Sequence, residues 1–134
     1  MDFENLLSLL SDPPQAHALA SLVIDHFKRH GQAEPHSTRT NGGDLRVRMN
    51  HGRRFKGGHG RNIFTMYWQP RKNTFLCKIE LPSGLLPASS AFMNVRETGH
   101  SERLDSQFDC RPGVADADLI KAIEVAIQRF IQLN

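Results

Sequence analysis

Residues 62–81 read NIFTMYWQ-PRKN-TFLCKIEL, and this stretch decides the fold. Asn62 to Gln69 is rich in β-branched and aromatic residues, the types that fit a pleated, half-buried surface. Pro70-Arg71-Lys72-Asn73 follows as a turn, because proline presets φ for its second position. From Thr74 to Leu81 the pattern alternates. Phe75, Cys77, Ile79 and Leu81 share one face, and Lys78 and Glu80 share the other. A period of two on either side of a short turn predicts an antiparallel hairpin with one buried face.

Upstream, Leu45, Val47 and Met49 alternate with Arg46 and Arg48, which predicts a half-buried strand with an arginine face. His51 to Arg61 (HGRRFKGGHGR) has four glycines in eleven residues and reads as a loop or distorted hairpin. Gln32 to Gly43 is polar, with one proline and a glycine pair, and reads as a loop. A helix is expected from about Pro13 to His30. Asp12 is its cap, Pro13 its first residue, and Ala16, Leu19, Leu22, Val23 and either His26 or Phe27 its apolar stripe. Lys28, Arg29 and His30 suit the negative end of that helix, and Gly31 suits the position after it. Phe3 to Leu10 supports at most one short amphipathic helix.

Downstream, Pro82 to Ser90 reads as a loop, Ala91 to Glu97 as a strand, Thr98 to Ser101 as a turn and Leu104 to Arg111 as the return strand. Pro112-Gly113 breaks the chain, and Asp116 caps a last helix over Ala117 to Gln132, with Leu119, Ile120, Ile123, Ile127, Phe130 and Ile131 as its stripe. This order predicts one α+β domain over residues 1–134. The expected architecture is a two-layer sandwich, an antiparallel sheet of about five strands with N- and C-terminal helices packed on one face. The opposite face is then solvated and open to a partner.

At 134 residues the chain is long enough to bury a core without disulfides or metal. Its two cysteines, Cys77 and Cys110, fall in no metal or redox spacing and are expected to be reduced core thiols. The acidic start Met1-Asp2-Phe3-Glu4 and the short run Leu6 to Leu10 do not make a secretion signal or a membrane span. A cytoplasmic protein is expected, with no membrane partner.

Charge is distributed unevenly. Nine cations (Arg39, Arg46, Arg48, Arg53, Arg54, Lys56, Arg61, Arg71, Lys72) lie between His36 and Lys72, where Asp44 is the one acid. That segment carries +8, which leaves −5 for the rest of a chain whose net charge is +3. Phosphates need dispersed donors, and arginine offers a planar fork while glycine lets the backbone approach. Phe55, Tyr67 and Trp68 are interleaved and could stack exposed bases. The residues expected to bind nucleic acid or another anion are Arg46, Arg48, Arg53, Arg54, Lys56, His59, Arg61, Arg71 and Lys72. The leading reading is a small non-enzymatic binding protein that engages nucleic acid or a nucleic-acid-bound complex. The alternatives are an inhibitor or immunity-type factor docking on an acidic protein, and a small enzyme or binder of a phosphorylated ligand. A homodimer is compatible with an unpaired sheet edge.

Other chemistries find weaker spacing. Gly57-Gly58-His59-Gly60 precedes a strand and lacks the Lys-Ser/Thr of a phosphate loop, which leaves only an unspecific anion nest. His26 and His30 are four apart on a helix and can share a face, but no third ligand is local except Asp25, so no metal and no cofactor is expected. Asp44 with Lys78-x-Glu80 imitates a nuclease site in reversed order. Cys110 with His100 is a conceivable nucleophile pair. No catalytic residue is expected. The turn from Glu97 to Arg103 reads as locally paired charge or as a partner-binding edge.

Overall fold

The computed structural model describes residues 14–30, 33–36, 44–49, 61–100, 103–114 and 116–133. Helix α1 (Pro14–Lys28) is followed by β1 (Ala33–His36), β2 (Asp44–Met49), β3 (Arg61–Gln69) and β4 (Thr74–Ile79). A short 3-10 turn (Ser83–Leu85) leads to β5 (Phe92–His100), β6 (Arg103–Cys110) and α2 (Asp116–Leu133). The protein is α+β, with terminal helices and an antiparallel sheet. The expected helix over Phe3 to Leu10, the Asp12 cap and Gly31 lie outside the described residues.

The expected hairpin at 62–81 forms, with Phe64 opposite Ile79, Met66 opposite Cys77 and Trp68 opposite Phe75. At its tip Asn73 takes φ 53°, a left-handed conformation that asparagine tolerates. The sheet has six strands, in the order β1-β2-β3-β4-β6-β5. The additional strand is β1, inside the stretch read from sequence as loop. It pairs Pro35 with Val47 at the sheet edge, where a residue without an N–H is tolerated. Strand β5 also runs past its expected end at Glu97, to His100.

Chain order and sheet order part at β4. Residues 80–91 carry the chain past one strand position, so that β6 returns beside β4 and β5 takes the edge. Pro112 and Gly113 then turn the chain into α2. Gly113 has φ 84°, which side-chain-bearing residues rarely adopt, and its N–H donates to Asp116 Oδ1 at 2.8 Å. Asp116 and Asp118 in the first turn of α2 complement its positive end.

Alternation divides the sheet into two unlike faces. On one, Leu45, Val47, Phe64, Met66, Phe75, Cys77, Ile79, Phe108 and Cys110 are buried. They form a single cluster with the helix stripes, Ala16, Leu19, Val23 and Phe27 of α1 and Leu119, Ile123, Ile127 and Phe130 of α2. Phe27 of α1 lies against Phe64 of β3, with ring centroids 5.9 Å apart. Among the described residues no helix is long and apolar enough to cross a membrane.

Candidate functional site

The second face of the sheet is polar, and the strand register assembles it. Arg46 of β2 stands opposite Thr65 of β3, Thr65 opposite Lys78 of β4, Lys78 opposite Gln107 of β6, and Gln107 opposite Arg96 of β5. Five strands thus contribute one polar row holding three cations. A parallel row carries Tyr67, Leu76, Asp109 and Met93. Two shallow clefts lie on this surface. One, of about 300 Å³, is lined by Arg46, Asn62, Thr65, Lys78, Glu80 and Asp105 among others. The other, of about 340 Å³, is lined by Gln69, Lys72, Asn94, Arg96, Gln107 and Asp109 among others.

Acids and cations occupy different depths here. Asp105 is 4% exposed, Asp109 6% and Glu80 8%, whereas the side chains of Lys78 and Lys72 are 50% and 62% exposed. Lys78 Nζ lies 3.7 Å from Asp105 Oδ2, and Lys72 Nζ lies 3.9 Å from Asp109 Oδ2. Asp109 is further held by Gln69 Nε2, which donates to Oδ1 at 2.9 Å, and by Asn94 Nδ2, which donates to Oδ2 at 2.9 Å. Asn94 sits at an irregularity of β5 between Met93 and Arg96, and its φ of 55° is again one that asparagine accepts. Burial pushes the Asp109 carboxyl up. The bonds from Asn94 and Gln69 and the charges of Lys72 and Arg96 outweigh it and hold the group below the ordinary carboxylate range.

The structure places the expected anion-binding residues unequally. Arg46 is half-buried on the polar face, and Arg71 and Lys72 are exposed in the β3–β4 turn. Arg48 and Arg61 belong to β2 and β3, but their side chains lie outside what is described. Arg53, Arg54, Lys56 and His59, with Phe55 and the glycine loop, lie wholly outside it. The two remaining aromatics separate. Tyr67 is on the polar face, whereas Trp68 is on the apolar one, edge-on to Phe75 at 4.9 Å. Lys78, Gln107, Asn94 and Arg96 complete the polar face and were not among the expected site residues. Alternation alone put Lys78 outward, but the neighbours of β4, β5 and β6 depend on long-range register.

One of the weaker spacings is overturned by register. Cys110 pairs with Phe92 and His100 with Arg103, at opposite ends of the β5–β6 hairpin. Seven residues of β6 at roughly 3.3 Å each keep them on the order of 23 Å apart. Cys110 is fully buried, as is Cys77, and both are free thiols. Burial, then the neighbouring Cys110, raises the Cys77 thiol well above its ordinary value, so it is protonated and inert. Asp44 pairs with Tyr67 through its backbone, and its side chain lies outside what is described. The acid beside Lys78 is Asp105.

Among the described residues one group has the composition of a transition-metal site, His26 and His30 with Glu124 of α2. The acid that was missing locally comes from 98 residues away in sequence. Burial raises the Glu124 carboxyl, but hydrogen bonds from Gln128 and His26 and the charges of His26 and His30 bring it below its ordinary value.

No family model, curated protein or solved structure matches the chain. Two places in the described residues carry polar chemistry, the polar sheet face and the seam between the helices.

Proposed function

We propose that the protein is a non-enzymatic binding protein whose polar sheet face engages nucleic acid. The observation that carries this reading is the layering of charge, with exposed Lys72, Lys78 and Arg96 above buried carboxylates. A phosphate chain laid over the face meets cations first. The carboxylates beneath orient the lysines without reaching the surface. The half-buried Tyr67 offers a ring edge or face on the same side.

The composition of the face favours nucleic acid over an acidic protein. Protein partners are anchored by large apolar or aromatic side chains at the centre of a patch. The exposed large apolar residues of the described chain are Leu22, Leu85, Val95, Val114 and Val125; of these only Val95 belongs to the sheet, in the edge strand β5, and none lies at its centre. Nucleic-acid interfaces are more polar and more cationic.

The test is a binding isotherm against single-stranded and duplex nucleic acid over a salt series. With Arg46, Lys72, Lys78 and Arg96 all engaged, log K is expected to fall against log salt with a slope of about −3 on single strands. Absence of salt-dependent binding at low ionic strength refutes the reading. Capture of one acidic protein with no nucleic-acid binding moves the surface to the inhibitor class instead.

A further inference from the structure

We infer that His26, His30 and Glu124 form a binding site for a divalent transition metal of the zinc type, linking the end of α1 to α2. The inference is independent of what the polar sheet face binds. His26 lies in the last turn of α1, and His30 in the turn that closes it. A separation of four residues brings side chains to one side of a helix, and the two rings stand 5.7 Å apart. His30 is fixed by its backbone, since its N–H donates to Phe27 O at 2.9 Å and its carbonyl accepts from Ala33 N–H at 2.9 Å.

Both rings point the same nitrogen at the same oxygen. Nε2 of His26 lies 2.7 Å from Glu124 Oε2, and Nε2 of His30 lies 3.4 Å from it. The three donor atoms all lie within 4.8 Å of one another. A tetrahedral zinc ion with bonds of about 2.1 Å keeps its ligand atoms about 3.4 Å apart. The His30–Glu124 spacing meets that value, and the His26–Glu124 spacing reaches it by opening about 0.7 Å. The other carboxylate oxygen is already held, because Gln128 Nε2 donates to Glu124 Oε1 at 3.1 Å. Such a partner orients a ligating carboxylate and tunes the metal it binds.

The setting suits a bound ion with one coordination position open to water. The side chains of His26, His30 and Glu124 are 13%, 22% and 41% exposed, so the group is partly sheltered and still reachable. Two imidazoles and a carboxylate select zinc, cobalt or nickel over magnesium and calcium, which take oxygen ligands. Binding needs Nε2 of His26 free of its proton, which passes to Nδ1 or to solvent, and the ion, by spanning α1 and α2, stabilises the native state.

The experiment uses the full chain without a polyhistidine tag, titrated with Co²⁺ and followed by its visible absorption, then with Zn²⁺ by calorimetry. One equivalent is expected to bind, Zn²⁺ is expected to displace Co²⁺ and raise the melting temperature, and Mg²⁺ is expected to do neither. His30→Ala and Glu124→Gln, each checked for folding by circular dichroism, are expected to abolish the Co²⁺ bands. Gln128→Ala is expected to weaken binding by about 10-fold. His51→Ala and His59→Ala are expected to leave binding unchanged. Failure to bind one equivalent, or binding that survives both His30→Ala and Glu124→Gln, or binding lost in the His51 or His59 variant instead, overturns the site.

Discussion

The two faces of one sheet are built from the same strands and use their alternation to opposite ends. On the face of Phe64, Cys77 and Phe108 every described strand residue from Leu45 to Met49, Phe75 to Ile79 and Phe108 to Cys110 that points inward is at most 1% exposed. On the other face burial is graded, with Asp105, Asp109 and Glu80 low, Arg46 half-buried, and Lys72, Lys78 and Arg96 exposed. The first face needs only apolar volume to hold the helices. The second keeps charged groups partly desolvated, which costs stability unless each is hydrogen-bonded or paired. Gln69, Asn94 and Lys72 converge on Asp109 and meet that requirement there.

The contrast can be broken first at its apolar side. Phe108 is 1% exposed and stacks against Phe92 with ring centroids 4.5 Å apart. Phe108→Ala is expected to cost about 3–5 kcal/mol, read from urea unfolding. A cost below about 1 kcal/mol would mean that this face is not the core.

The next effect in size belongs to Asp109. Asp109→Ala removes a charged acceptor from Gln69 and Asn94 and is expected to cost about 1–3 kcal/mol. The pH dependence has a definite sign. The folded Asp109 is a stronger acid than its unfolded form, whose pKa is about 3.9. Its contribution is thus fully present above that value and is lost as pH falls through the lower folded one. Asp109→Asn is expected to flatten the acid limb of the stability curve, and an unchanged limb would contradict the bonding described.

The smallest effect on stability is expected at Lys78. Its side chain is half exposed, and solvent screens its pairing with Asp105. Lys78→Gln should change stability by less than about 1 kcal/mol while weakening anion binding.

How far these features were legible in the sequence follows from the range of the interactions. The β3–β4 hairpin was readable because alternation and a proline-led turn are local. The strand β1 was not, because Ala33–His36 is four residues long, contains Pro35 and is held by backbone pairing to β2. The arginine side of β2 was visible at Arg46, but its continuation through Lys78, Gln107 and Arg96 depends on β6 inserting beside β4. The His26–His30 pair was visible as a spacing. Its carboxylate was not, because only the packing of α2 beside α1 brings Glu124 to it. The depth of Asp105 and Asp109 could not be read at all, since acids on an outward alternation are ordinarily solvated.

The most direct measurement compares two double charge reversals that have the same net charge. One is Lys78→Glu with Arg96→Glu on the polar sheet face. The other is Arg29→Glu with Lys121→Glu, exposed positions after α1 and on α2. Affinity for single-stranded nucleic acid is measured for both at low salt. Loss of binding in the sheet pair with near-native binding in the helix pair is the expected result. Equal weakening in both would mean that only net charge matters, and would contradict a docking face built on the sheet.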